Sequence, residues 1–211
     1  MISPAKLGLF FAVVFGVILL PGLDMAFVLG SALAGGRRRG LAAVSGIIAG
    51  GICHVGMTAT GIGMLLKVVP GAFNALLLGG GLYIGWIGLS LMRGGADFSL
   101  NPQVEARSRA ATFRQGVLTS LLNPKAYLFM LAVFPQFLRP ELGAIWAQSL
   151  VLWLIIALNQ LGVYGGLAVA ADRARRWMQG RPGAGALAAR WVGGLLMAAA
   201  LLTVLEGWRR I

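Results

Sequence analysis

An aspartate and a lysine stand where side chains of their kind are costly. Asp24 is the lone acid of the apolar run Leu7 to Ala34, directly after Pro21-Gly22-Leu23, and Lys125 follows Asn123-Pro124 inside the apolar run Gly116 to Leu138. A charge at the centre of a membrane-spanning helix costs on the order of 2.5 to 3.5 kcal/mol, so either one left unpaired would strain the fold. Pro21-Gly22 and Pro124 are also helix breaks, because proline removes a backbone donor and leaves carbonyls exposed one turn back. An acid, a cation, an amide and freed carbonyls together can read a zwitterion. Its ammonium would face Asp24 and the carbonyls, its carboxylate Lys125 and Asn123. Without a ligand, pairing of Asp24 with Lys125 is expected to close the site. The acid can also carry a proton, since burial and a neighbouring cation act on a carboxyl group in opposite senses. A buried pair that only fixes helix register is the plainer reading, but register needs no proline beside each charge.

The elements that must hold these residues follow from composition. Of 211 residues 58% are hydrophobic and 11% charged, with mean hydropathy +0.84, too apolar for a chain whose surface is wetted. Apolar runs of about 20 residues, the length that crosses ~30 Å of hydrocarbon as helix, alternate with short polar stretches, and no alternating pattern suggests a barrel. The sequence therefore predicts an all-α integral membrane protein, a single transmembrane domain over 1–211 embedded in the lipid bilayer. The net charge of +12 would suggest nucleic acid in a soluble chain. Here the basic residues cluster between apolar runs, where they set orientation and meet lipid headgroups, so no nucleic-acid partner is expected. Cys53, the only cysteine, cannot form an internal disulfide and has no second ligand near it; it reads as a small buried residue.

Taken in order, the first run resembles a signal peptide, with Lys6 before it and Ala32-Leu33-Ala34 at its end, but Arg37-Arg38-Arg39 follows at once. It reads as an uncleaved span broken at Pro21-Gly22. Leu41 to Val69 is glycine-rich and carries His54 and Thr58 on one face, four residues apart. Pro70-Gly71 turns into Ala72 to Met92, where Gly81, Gly85 and Gly88 form another stripe for close helix packing. Arg93 to Thr112 reads as a long polar loop. Arg114 to Leu138, Leu142 to Ala171 with its polar interruption Asn159-Gln160, and Ala186 to Leu205 complete six spans. The glycine faces of spans two and three are also places where a homodimer could form.

Eleven basic residues fall in the connections after spans one, three and five, among them Arg37 to Arg39 and Arg173, Arg175, Arg176 and Arg181, against five on the other side. The excess puts those connections in the cytoplasm and both termini outside. Two sets of three spans, repeat one about 1–92 and repeat two about 113–211, then enter in opposite senses, the arithmetic of an inverted repeat with its site at the midplane. At 1.5 Å per residue from the nearest arginine cluster, Asp24, Lys125, Asn159 and His54 lie roughly 20, 16, 21 and 22 Å deep. One level holds them all, which makes Asp24, Asn123, Lys125 and Asn159 candidate substrate ligands and Asp24 with His54 candidate proton carriers.

The segments Phe113-Arg114-Gln115-Gly116, Leu122-Asn123-Pro124-Lys125-Ala126 and Phe134-Pro135-Gln136-Phe137 resemble the span-four signature of the LysE/RhtB amino-acid exporters. Pro21 to Asp24 and Gly81-Leu82-Tyr83-Ile84-Gly85-Trp86-Ile87-Gly88 are similar to that family's other blocks, except that Leu23 stands where a second proline is common. The resemblance covers essentially the whole chain. It implies a multi-pass secondary transporter of the bacterial inner membrane that exports amino acids or close derivatives in exchange for protons, without a cofactor. Two other classes have less support. An intramembrane enzyme would have to use Ser45 with His54, or Cys53, and neither has the surrounding motif. An exporter of metal cations would need a ligand cluster that one histidine and scattered acids do not provide.

Overall fold

The computed structural model describes residues 2–59 and 108–178, together with scattered helical positions between 78 and 93 and between 187 and 205. All regular structure among them is helical. Pro70-Gly71, the end of the expected second span, most of the third, part of the sixth and most of the polar loop lie outside the described residues.

Helix α1 (Pro4–Leu19) starts on a proline, where the missing N–H would have had no partner in any case. It stops before Pro21, with Leu20 extended (φ −63°, ψ 126°). Helix α2 (Leu23–Ala59) contains Gly36 at φ 73° and ψ −179°, a backbone state that only glycine occupies without strain. The chain folds back there. A Cβ on Gly40 would lie 2.8 Å from the Cβ of Ala32, whereas residues eight apart on a straight helix are separated by ~12 Å. Thus α2 is two limbs, 23–35 and 37–59, with the arginine triplet at the turn. The first limb continues the broken first span and the second begins the next, reaching about 34 Å at 1.5 Å per residue.

The second limb packs against helix α3 (Arg109–Leu121) through small residues. A Cβ on Gly46 would meet Gly116 Cα at 3.0 Å, and one on Gly50 would meet the Ser120 side chain at 2.7 Å. Farther along, Gly81 and Gly85 face Val204 and Ala200. These glycines pack against other segments of the same chain. Helix α3 begins before the expected Arg114, because the Ser108 hydroxyl accepts the Ala111 N–H at 3.1 Å and caps a helix that takes in the end of the polar stretch. Helix α4 (Pro124–Ala132) follows after Leu122-Asn123; the pair Arg109–Leu121 and Pro124–Phe137 is bent by 50°. Two 3-10 turns, Phe134–Phe137 and Pro140–Leu142, lead to helix α5 (Ile145–Met178). The Gln148 side chain ties that connection by bonding the Arg139 N–H and the carbonyls of Arg139 and Gly143. Helix α5 runs past the expected Ala171, because Asp172 pairs with Arg176 at 3.1 Å and with Arg175 at 3.8 Å one turn on. The basic residues there are helical rather than loop.

The faces of α5 reverse the soluble pattern. Gln148, Ser149, Asn159 and Gln160 are buried while Leu150, Leu154, Leu158 and Leu161 are exposed, as expected of a helix whose outer solvent is lipid. By length and composition Leu23–Thr58, through its longer limb, and Ile145–Met178 can cross a bilayer, and the bent pair makes a third if counted as one span. Cys53 departs from its expected burial and is exposed on the second limb of α2. Inside, Phe10 of α1 packs edge-on to Phe137 at 4.8 Å and to Phe134 at 6.1 Å. That cluster fixes the broken first span against α4 and so sets the two breaks side by side.

Candidate functional site

Each break leaves a carbonyl that a proline cannot serve. In an unbroken helix the Val17 carbonyl would accept from the N–H of residue 21, and the Ser120 carbonyl from that of residue 124; both positions are proline. Side chains from other segments take those places. Lys125 Nζ donates to the Val17 carbonyl at 3.1 Å and to the Leu20 carbonyl at 2.8 Å. His54 Nε2 donates to the Ser120 carbonyl at 2.9 Å. A carbonyl only accepts, so the His54 proton is on Nε2, and the buried Nδ1 is left with no partner.

Helix dipoles explain why Lys125 reaches so far. It is the second residue of α4, where the positive end of the helix repels a cation, and α1 has no basic residue in its own last turn. Its ammonium therefore settles on the negative end of α1. Hydrogen bonds to a charged group are worth about 1.5 to 3 kcal/mol each, enough to hold the two broken segments together. Asp24 is the second residue of α2, where a carboxylate suits the dipole. It is buried, and its Oδ1 has no hydrogen-bond partner. Lys125 and Asn123 are the groups that act on its carboxyl. The expected direct pair does not form: among the described residues the ion pairs are those of Asp172 with Arg175 and Arg176. The lysine prefers the freed carbonyls because it can engage two of them at once.

Asn123 caps α4, its Oδ1 accepting the Lys125 N–H at 3.0 Å, while its buried Nδ2 has no partner. Asp24, His54, Asn123 and Lys125 all line one cavity of about 60 Å³. At roughly 15 Å³ of such room per water this holds about four waters, or one small amino acid. Asn159 is not among its lining residues; its Nδ2 donates to the Ile155 carbonyl of its own helix at 2.9 Å. The α5 wall is instead Ile156, Gln160 and Tyr164. That four-residue spacing, with a polar or aromatic residue at each later step, was the available signal for Gln160 and Tyr164. Thr58 bonds the His54 carbonyl of its own helix. Ser45 likewise bonds the Leu41 carbonyl at 3.0 Å, so no serine–histidine pair is formed. No group of three or more His, Cys, Asp and Glu stands ready for a metal among the described residues.

The cavity's residues fall inside a segment with known relatives. The family model for the LysE type translocator matches residues 14–207. The chain belongs to the LysE type translocators. An uncharacterized membrane protein of Vibrio cholerae is 33% identical over 165 residues, covering 78% of this chain and 79% of its own. The homoserine/homoserine lactone efflux protein of Salmonella typhimurium is 28% identical over 162 residues, 77% of this chain and 78% of that one. The threonine efflux protein of Escherichia coli is 31% identical over 130 residues, 60% and 63% of the two chains. No solved structure matches. Membership in this family places Pro21, Asp24 and Asn123 to Lys125 within the matched region of a translocator.

Proposed function

We propose that this translocator exports small amino acids or close derivatives from the bacterial cytoplasm across the inner membrane, in exchange for protons. The observation that carries the reading is the convergence of Asp24 and Lys125, each at a helix break, on one cavity of amino-acid size. The substrate's ammonium approaches the unpartnered Asp24 Oδ1 and competes with Lys125 for the Val17 and Leu20 carbonyls. Its carboxylate takes the free Asn123 Nδ2 and the displaced Lys125 ammonium. Asp24 carries the returning proton and His54 Nδ1 offers a second acceptor beside it. Efflux proteins for threonine and homoserine among the relatives support an amino-acid cargo. The architecture that suits this cycle is six spans in two inverted repeats, both termini outside, so that the cavity opens alternately to each side.

Counterflow in proteoliposomes, with labelled amino acids and an imposed pH gradient, tests the reading. Uptake that responds to at least one amino acid and to the gradient is expected, and Asp24→Asn should abolish it while membrane insertion is unchanged. Uptake indifferent to every amino acid would overturn it.

A further inference from the structure

The zwitterion accounts for the Asp24, Asn123 and Lys125 side of the cavity and leaves the α5 wall without a role. On that wall Gln160 is 8% exposed and its Oε1 is buried with no hydrogen-bond partner. Its helix neighbours one turn to either side, Ile156 and Tyr164, line the same cavity. A buried amide oxygen left without a partner is a standing penalty unless a ligand relieves it. The cavity has room for little beyond a short side chain. The rest of its lining is mainly apolar, from Val14 and Ile18 of α1 to Met130 of α4, with His54 and Ser120 as its polar members.

We infer that Gln160 selects the cargo by hydrogen-bonding a hydroxyl on the side chain of a short amino acid. The inference rests on the transport reading above. A carboxamide offers both an acceptor and a donor, and a hydroxyl answers either, so the pairing does not depend on which way the amide is turned. An isostere with a methyl in place of the hydroxyl would leave Gln160 buried and unpaired. A site built to bond a hydroxyl discriminates on that ground far better than an apolar pocket discriminates by size. Threonine and valine differ by this one exchange and are the probes.

The full chain in proteoliposomes is loaded with each in turn, and initial counterflow rates are compared. The wild type should carry threonine about tenfold or more faster than valine, the loss of one buried hydrogen bond. Gln160→Leu should bring the ratio near one, chiefly through a slower threonine rate. Gln160→Asn, which withdraws the amide by one methylene, should give an intermediate ratio and decides the matter if the leucine variant does not insert. A wild-type ratio near one, or a variant that keeps the wild-type ratio, would overturn the inference. So would a wild type that carries other amino acids but neither probe, and the transport reading would survive that result. Indifference to every amino acid would instead remove the transport reading itself.

Discussion

The two helix breaks look alike in sequence and are built differently. At Pro124 the chain repairs itself locally: Asn123 caps α4, its own N–H reaches the Ser120 carbonyl at 3.1 Å, and His54 adds a second donor to the same oxygen. At Pro21 nothing local does this. The Val17 and Leu20 carbonyls depend on one long side chain from a segment a hundred residues away. A break closed by its own cap is a fixed joint, whereas one held by a single flexible lysine can be opened by whatever displaces that lysine. In this chain the cation is therefore a latch across the first break, and on the transport proposed above that break is the one that opens.

Lys125→Ala should have the largest effect on this contrast. It removes both hydrogen bonds that close the first break, each worth about 1.5 to 3 kcal/mol, and counterflow should fall at least a hundredfold with insertion retained. Normal transport by that variant would show that the first break needs no latch. Exchanging the prolines separates the two joints. Pro21→Ala returns an N–H for the Val17 carbonyl and should straighten the first span, cutting transport about tenfold while raising the melting temperature in detergent. Pro124→Ala should change both measurements less, because Asn123 still caps α4. His54→Leu takes one of two donors from the Ser120 carbonyl, a loss of about 0.5 to 1.5 kcal/mol, and should slow counterflow only a few-fold. Gly36→Ala lies outside both breaks and serves as the control. A Cβ there would stand 2.9 Å from Asp172 Oδ1 at a φ of 73°, so stability should drop by about 1 to 3 kcal/mol in a thermal melt. The ratio of transport rates between substrates should not move.

What the sequence made legible was whatever a residue does to its own backbone. Pro21 and Pro124 forecast both breaks because a missing donor is a local fact. Depth along a helix could also be counted, and it brought Asp24, His54 and Lys125 to one level before any contact was known. Direction around the helix could not. Neighbours on a helix point about 100° apart, so depth alone could not choose Gln160 over Asn159, and only the packing of α5 on the breaks does so. The partner of Lys125 was hidden for a related reason. Charge suggested Asp24, but the dipole of α1 and two orphaned carbonyls act through space that the sequence does not record. The arginines after Ala171 read as a loop by composition, yet Asp172 pairs with two of them and carries the helix on to Met178.

Cys53 has no part in any of this. It is the chain's single thiol, exposed on the outer side of the helix that delivers His54 to the cavity. A spin label or fluorophore attached there would sit one residue from His54 without any engineered mutation. Its spectrum could follow that helix as substrate and proton exchange, so the native sequence already contains its own reporter.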